Sequence, residues 1–281
     1  MKFAQKELTW GDTSMVCEIL KVSRSTYYRV PKKRESEEIE LENKVINCFK
    51  ANCGNYGRIR IKRELRREKI TVSENKIARI LKEHGLVAKS GRKGTRKKKK
   101  PTEEQYIEEN LIKNKFEVRI ANYLWCSDIT ELKCKSGKLY ICGIIDVATR
   151  RLVGWSVQRH QRQDIVHNAF MMAIGRNPHR PADAVYHSDR GCQYTAKMTK
   201  DLVESNGFKK SMSRPGTPSD NQPIESFWRT LECEMPDIRH LTFEAACMVI
   251  VKYFEFYYNS DRLHSGIDYH TPNEFFELLT L

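Results

Sequence analysis

The chain has 281 residues, of which 40% are apolar, and a formal net charge of +14. A chain of this length can bury a sizeable core and form more than one domain. No apolar run approaches the roughly 20 residues of a membrane-spanning helix, and the N-terminus lacks the apolar stretch of a signal peptide. We therefore expect a cytoplasmic protein.

The positive charge is concentrated near the N-terminus. The first 100 residues contain 28 Lys and Arg against 12 Asp and Glu, whereas the remainder contains 22 against 24. This distribution predicts a region that binds a polyanion, joined to a separate and nearly neutral domain. The alternative is a basic surface that only aids solubility, but the concentration of the excess favours nucleic acid.

Nine cysteines are spread along the chain, and none forms a CxxC pair. Zinc ligands usually come in close pairs, and disulfide frameworks usually occur in short chains with an even number of cysteines. We therefore predict that the thiols are reduced and mostly serve packing.

Residues 1–34 form the first predicted unit, a helix-turn-helix-like segment. Ser23 is a plausible N-cap for a short helix that begins with Arg24 and Ser25, and these residue types can reach base edges in DNA. An ordinary helical hairpin with exposed polar residues fits the same pattern.

Residues 35–88 predict an all-helical, helix-turn-helix DNA-binding domain. Apolar periodicity indicates helices over residues 35–50, 57–68 and 73–84, the last capped by Ser73. The polar faces are predominantly basic, which favours contact with DNA phosphates over a merely solvated face. The predicted DNA-binding residues of this domain are Arg58, Arg60, Lys62, Arg63, Arg66, Arg67 and Lys76.

Residues 89–115 are predicted to be a linker. Its first part, KSGRKGTRKKKK, has eight basic residues, no acidic residue and no apolar side chain, so it cannot bury a core. We predict a flexible electrostatic tether to DNA rather than a plain linker. Its predicted DNA-binding residues are Arg92, Lys93, Arg96, Lys97 and Lys98.

Residues 116–281 change from helical to alternating patterns. YLWCSDITEL, LYICGIIDVAT and RLVGWSVQ predict three successive antiparallel strands. Helices and two further strands then alternate, and a helix follows over PIESFWRTLECEM. This order predicts an α/β, ribonuclease-H-like fold with a mixed five-stranded sheet, flanking helices and a C-terminal helical extension.

Three acidic residues in this domain suit one metal-dependent site. Asp128 lies within the first predicted strand, Asp189 ends the fourth, and Glu225 lies on the first turn of a helix. Hard divalent cations prefer carboxylate oxygens that converge from different elements. Taken singly, Asp128 could be satisfied by backbone donors, Asp189 could be a turn residue, and Glu225 could pair with Arg229. Their order and element types together favour a catalytic site.

WCSDIT, GIIDVATRRLVGWSV, HSDRGCQY and DNQPIESFWRTLECE resemble the catalytic core of bacterial insertion-sequence transposases in the retroviral-integrase superfamily. The chain is most similar to the second reading-frame product of the insertion sequence three family, and the similarity extends over nearly the whole chain. The resemblance implies an integrase catalytic core in which Asp128, Asp189 and Glu225 are the catalytic acidic triad and bind two Mg²⁺ or Mn²⁺ ions.

The resemblance also implies the reaction and the partners. Cleavage at the element's end would free a 3′-hydroxyl, which would then attack a second phosphodiester in line. The expected partners are the terminal inverted repeats and target DNA in the bacterial nucleoid, a second copy of the chain, and an upstream reading-frame product or fusion.

One position departs from the family pattern. Relatives carry a Lys or Arg two turns after the catalytic Glu, where this chain has Glu232, so we predict that Arg229 contacts the DNA instead. Two rival hypotheses remain. A catalytically impaired DNA-binding subunit would explain Glu232. A ribonuclease-H-like nuclease that cuts RNA is disfavoured, because helix-turn-helix units suit the major groove of B-DNA.

Overall fold

The computed structural model describes residues 17–19, 21–27, 36–89, 108–112, 116–215 and 217–281. Four helices lie in its N-terminal part: α1 (Arg24–Tyr27), α2 (Ser36–Ala51), α3 (Arg58–Arg67) and α4 (Glu74–Glu83). The Ser73 hydroxyl accepts a hydrogen bond from the Lys76 backbone N–H (3.2 Å), which is the predicted cap of α4. Most of the predicted unit 1–34 lies outside the described residues.

The helices α2, α3 and α4 enclose a small core of their own. Its central side chains are Val45, Tyr56, Ile61, Leu65 and Ile77. Each of the three helices has an apolar face that it cannot bury alone. The helices therefore fold together around these side chains. On α2, Val45 and Phe49 are buried whereas Ile39 is exposed.

A mixed five-stranded sheet forms the centre of the C-terminal part, as predicted. The strands are β1 (Leu124–Cys134), β2 (Gly137–Asp146), β3 (Leu152–Gln158), β4 (Val185–Ser188) and β5 (Lys209–Met212). Their order is β3-β2-β1-β4-β5. The first three strands are antiparallel, whereas β1 pairs with β4 and β4 with β5 in parallel. The parallel pairing places β1 in the middle of the sheet, beside both halves.

Helices cover both faces of this sheet: α5 (Gln163–Arg176), α6 (Cys192–Thr195), α7 (Lys197–Ser205), α8 (Gln222–Glu234) and α9 (Phe243–Tyr253). A last helix, α10 (Pro272–Thr280), lies beside α3. One apolar layer packs α5 and α7 against Trp125 and Tyr186, and the other packs α8 and α9 against Cys126 and Ile145. The approach of α5 to β3 is close. A Cβ on Gly154 would lie 2.3 Å from the Ala169 carbonyl oxygen, so only glycine fits there.

The helical N-terminal domain contacts the end of the chain. The Tyr56 hydroxyl donates to the Asp261 carbonyl oxygen (3.0 Å) and accepts from the Leu263 N–H (2.9 Å). Leu263 is fully buried within the helical domain's core. The C-terminal extension therefore connects the core of the helical domain with that of the sheet domain. The predicted division into domains 35–88 and 116–281 did not include this contact. No helix of the described residues is long and apolar enough to cross a membrane.

Glu234, the last residue of α8, is the polar centre of this joint. Its buried carboxylate accepts two hydrogen bonds from Arg262 (both 2.7 Å) and one from the Tyr253 hydroxyl (3.0 Å). Arg60 of α3 also reaches it (3.4 Å), and the Lys89 ammonium donates to the Glu234 carbonyl oxygen (3.3 Å). The helix that carries Glu225 is thus bonded at its other end to the helical domain.

Candidate active site

The pairing of β1 with β4 brings two of the predicted acidic residues together. Ser127 lies opposite Ser188, so Asp128 and Asp189 are the next residue on each of two adjacent parallel segments. Adjacent strands lie about 4.8 Å apart, and residues in register on parallel strands share a face of the sheet. This face is the one that α8 covers. The tertiary structure therefore places the backbone positions of Asp128 and Asp189 on adjacent parallel segments.

Asp128 is held by the helix above it. The Trp228 indole N–H donates to Asp128 Oδ2 (2.9 Å), and both side chains are buried. The indole fits closely over β2, because a Cβ on Gly143 would lie 2.7 Å from the ring. Gly143 is the residue opposite Asp128 in the β1–β2 register. The glycine therefore lets Trp228 approach near enough to hold the carboxylate.

Asp189 lies directly after β4 in a tight turn. Its Oδ1 accepts a hydrogen bond from the Gly191 backbone N–H (2.9 Å). Burial raises the pKa of the Asp189 carboxyl, and the Gly191 hydrogen bond opposes this by favouring the ionised form. A raised pKa means that the ionised carboxylate lacks compensation for its lost hydration. Such a group gains most from a nearby positive charge.

Glu225 is half-buried on the first turn of α8. The helix is fixed to β1 at its start, because the Asn221 amide donates to the Ser127 carbonyl oxygen (2.9 Å), one residue before Asp128. Residues three apart on a helix share a face, so Glu225 lies on the side from which Trp228 contacts Asp128. Glu225 therefore lies on the same side of α8 as Trp228, whose indole contacts Asp128.

The loop before α8 is fixed by Asp220, which the sequence analysis did not identify. This fully buried carboxylate accepts from the Arg214 guanidinium (two contacts of 2.9 Å) and from the Asn110 amide (2.9 Å). The Arg214 hydrogen bonds hold the pKa of Asp220 well below its usual range. Asp220 lies two residues before the start of α8, and an Asp in the turn before a helix is a signal for such a loop-closing role.

The donor types fit hard divalent cations, since all three candidate ligands are carboxylates. In the described residues, no three His, Cys, Asp or Glu side chains stand close enough together to hold a metal ion. The three candidate ligands lie on β1, directly after β4 and on the first turn of α8. All nine cysteines are free, as predicted.

Asp146, a possible competitor for the strand carboxylate, has a structural role. It accepts hydrogen bonds from the Thr149 hydroxyl (2.6 Å), the Thr149 N–H (3.2 Å) and the Asn122 N–H (3.1 Å). It is fully buried, and burial raises its pKa to about 6. Asp146 therefore closes the turn after β2.

The predicted DNA-binding residues of α3 have partners within the protein. Arg60 binds Glu234, Arg63 lies over the Tyr269 ring (4.8 Å), and Arg67 binds Glu274. These three partners belong to the C-terminal part of the chain. The same residues that were predicted to contact phosphates therefore contact the core in this structure.

The remaining predicted DNA-binding residues lie in several places. Arg58 and Lys62 pair with Glu74 at 3.8 and 3.1 Å, and Lys76 pairs with Glu38 at 3.4 Å. Arg24, Ser25, Arg66 and Arg229 are exposed, and Arg66 lines a cleft together with Arg63 and Arg67. The linker members fall outside the described residues: Arg92, Lys93, Arg96, Lys97 and Lys98.

Comparison with known proteins agrees with this architecture. Residues 119–218 and 206–272 match models described as integrase core domains, and residues 35–94 match an HTH-like domain. The chain is 34% identical over 252 residues to the transposase for insertion sequence element IS904 of Lactococcus lactis, with 88% of this chain and 98% of that protein covered. The chain belongs to the insertion-sequence transposase family.

Other family members match over a similar length. The uncharacterized 31 kDa protein of insertion element IS600 from Shigella sonnei is 34% identical, covering 93% of this chain and 97% of that protein. Transposase InsF for insertion sequence IS3A of Escherichia coli is 28% identical, covering 97% and 96%. The insertion-sequence transposases therefore share the HTH-like and core regions with this chain. Integrase core domains are generally polynucleotidyl transferases, and the two domain types together imply DNA binding.

Solved structures also match. The HTLV-2 integrase catalytic core domain in complex with magnesium is 17% identical, with a TM-score of 0.39 and coverage of 56% of this chain and 97% of that one. A simian T-cell lymphotropic virus intasome bound to a PP2A regulatory subunit is 12% identical, with a TM-score of 0.43 and coverage of 83% and 73%.

A first prediction concerns the indole that holds Asp128. Trp228→Phe keeps an aromatic ring over Gly143 but removes the N–H, so a buried carboxylate loses a donor. We expect a loss of about 1–3 kcal/mol in the free energy of unfolding, measured by urea denaturation. Trp155→Phe is the matched control. It removes a 2.7 Å indole hydrogen bond to the less buried Glu255, where water can replace it. Equal losses in the two variants would contradict the assigned role.

A second prediction concerns pH. His187 is fully buried between the Ser211 and Ser213 hydroxyls (2.9 and 3.1 Å), and burial lowers its pKa to about 4. In the unfolded chain the pKa returns to about 6.5, so protonation favours unfolding. His187 therefore contributes its full stability above pH 6.5 and loses it as the pH falls toward 4.

The measurement compares the free energy of unfolding of the wild type with that of His187→Gln at pH 7 and pH 5. We expect the wild type to lose about 2 kcal/mol more than the variant between these values, because its imidazole is largely protonated only when unfolded. A histidine that stays neutral in both states would give the two proteins the same pH dependence. That result would show that protonation of the His187 imidazole does not cause the loss of stability at low pH.

Proposed function

We propose that this protein is a transposase that cuts DNA at the ends of a bacterial insertion sequence and joins those ends to new sites. Asp128, Asp189 and Glu225 are the proposed catalytic residues and metal ligands. The observation that supports this proposal most directly is the β1–β4 register, in which Asp128 and Asp189 each follow one of two paired residues, together with the Trp228 hydrogen bond that joins α8 to Asp128.

In this proposal the triad holds two Mg²⁺ or Mn²⁺ ions, which supply Lewis-acid stabilisation of the phosphoryl oxygens and lower the pKa of attacking water. The protein supplies the positions of the ligands. Trp228 holds one oxygen of Asp128, the Gly191 N–H orients Asp189, and Asn221 fixes the start of the helix that carries Glu225. The buried surroundings of the aspartates strengthen their attraction to a cation.

The proposed DNA partners are the terminal inverted repeats of the element and a target duplex. Joining two ends requires two active sites near each other, so the working form is at least a dimer. Arg229 and Glu232 lie on the exposed side of α8, one and two turns after Glu225. Arg229 can therefore contact a phosphate near the triad, whereas Glu232 opposes such a contact.

The proposal is tested by strand transfer with the purified chain. The substrate is duplex DNA that carries the element's own terminal repeats, incubated with Mg²⁺, Mn²⁺ or EDTA. Nicking and joining that depend on the metal support the proposal. Cleavage that persists in EDTA would overturn the metal-dependent mechanism.

Glu232 favours a second candidate function, a DNA-binding subunit that needs an upstream reading-frame partner for catalysis. An exposed carboxylate at this position repels the phosphates of a bound end. The two candidates differ in one variant. Glu232→Lys should strengthen binding of the element's end in either case, but it should permit cleavage by the chain alone only if the core is competent.

A further inference from the structure

One polar face of the helical domain, on α3, contacts the C-terminal part of the chain. Arg60, Arg63 and Arg67 of α3 contact Glu234, Tyr269 and Glu274 of the C-terminal part. Cations and acids that face one another in this way neutralise each other's charge. The surface that α3 presents toward the core is therefore less available to DNA than its sequence suggests.

The second face lies on α4. Asn75, Arg79 and Lys82 are exposed and follow one another at intervals of four and three residues, so they form one stripe along the helix. The buried side chains Ile77 and Ile80 lie on the opposite side. The stripe therefore points away from the core of the helical domain.

The stripe has the chemistry of a DNA-reading surface. The Arg79 side chain is 64% exposed, and its ion pair with Glu83 is long at 3.8 Å. Within the described residues, Asn75 and Lys82 have no hydrogen-bond or ion-pair partner. Asn pairs in a bidentate manner with adenine, Arg does so with guanine, and Lys binds guanine or phosphate in the major groove. Asn75 lies on the first turn of α4, the part of such a helix that reaches base edges.

We propose that Asn75, Arg79 and Lys82 read duplex DNA at the element's ends, and that Arg60, Arg63 and Arg67 instead fix the helical domain to the core. This inference rests on the proposed function for the identity of the DNA. None of the three reading residues was among those predicted from the sequence. Most of the residues predicted to bind DNA in this domain lie instead on α3, the more basic of the two helices.

The test measures affinity of the full chain for a duplex carrying the terminal repeat and for a scrambled duplex, and takes their ratio. Asn75→Ala and Arg79→Ala should each reduce this ratio roughly tenfold, because one bidentate base contact is lost. Lys82→Ala should lower the slope of affinity against salt by about one. Arg63→Ala is the matched control, and it should leave the ratio unchanged.

A conservative variant separates base reading from general attraction to phosphate. Arg79→Lys keeps the charge but lacks the planar pair of donors, so it should lose the preference for the terminal repeat and keep the affinity for scrambled DNA. Because these side chains are exposed, the unfolding midpoints should match that of the wild type. A triple variant (Asn75→Ala, Arg79→Ala, Lys82→Ala) with the wild-type ratio would overturn the inference.

The same proteins are assayed for metal-dependent cleavage, so failure of this inference is distinguishable from failure of the proposed function. Wild-type cleavage together with an unchanged ratio in the triple variant overturns the assignment of α4 and leaves the transposase function intact. A ratio lost in the triple variant, with no cleavage by the wild type in any metal, supports α4 as the reading surface and counts against catalysis by the chain alone.

Discussion

Replacing Asp189 with Asn is expected to lower the rate of DNA cleavage on the order of 10³-fold or more while leaving DNA binding intact. The amide has nearly the size of the carboxyl group, and its oxygen can still accept the Gly191 N–H. The change therefore removes a negative charge with little change in packing. A divalent cation loses a strong ligand when a carboxylate becomes a neutral amide.

Asp183→Asn is the matched control for this prediction. Asp183 lies shortly before the same strand but is exposed and pairs with Lys209 (2.6 Å). Its loss should leave the cleavage rate unchanged. Both rates are measured in Mg²⁺ on a labelled terminal-repeat duplex, and binding is measured in Ca²⁺ or EDTA. An Asp189→Asn variant that cleaves as fast as the Asp183→Asn variant would remove Asp189 from the active site.

Glu234→Ala is expected to reduce the free energy of unfolding by about 3–5 kcal/mol, because it leaves the Arg262 guanidinium buried and unpaired. Both partners have side chains only 5–6% exposed, so water cannot replace the lost carboxylate. The change also removes the acceptor for the Tyr253 hydroxyl and for Arg60 of the helical domain. We expect the contact between the two cores to weaken together with the fold.

The matched control is Glu232→Ala, on the same helix but with an exposed side chain. It should change the free energy of unfolding by less than about 0.5 kcal/mol. Denaturant unfolding followed by tryptophan fluorescence and by circular dichroism measures both variants. If Glu234→Ala and Glu232→Ala reduce the free energy of unfolding equally, the buried hydrogen bonds of Glu234 do not stabilise the contact between the two cores. Arg262→Met removes the buried cation. The double mutant Glu234→Ala, Arg262→Met should therefore recover part of the free energy of unfolding that Glu234→Ala loses.

Local sequence patterns were sufficient to predict the strands and helices near the site. The alternation in β1 to β3 and the periodicity of α3, α4 and α8 each arise from a single apolar face, and such a pattern is visible without any partner. The cap at Ser73 and the turn before Gly191 also depend only on neighbouring residues. The order of these elements then indicated the mixed sheet, since few folds have three antiparallel strands followed by an alternating half.

The contacts between distant residues could not be predicted in the same way. The indole hydrogen bond from Trp228 to Asp128 joins residues 100 positions apart. Glu234 is buried because Arg262, Tyr253 and Arg60, all distant in the sequence, pack against it. The local sequence around a charged helix residue does not indicate whether its side chain will be exposed to water or buried by a distant segment.

The sequence by itself determined the family, the strand and helix order, and which three carboxylates are candidates for the active site. Only the tertiary structure decided which cations face the protein and which face solvent. Arg60 of α3 pairs with the buried Glu234, whereas the Arg79 side chain of α4 is 64% exposed. The physical reason is that secondary structure depends on local periodicity, whereas the surroundings of a charge depend on which distant segments pack against it.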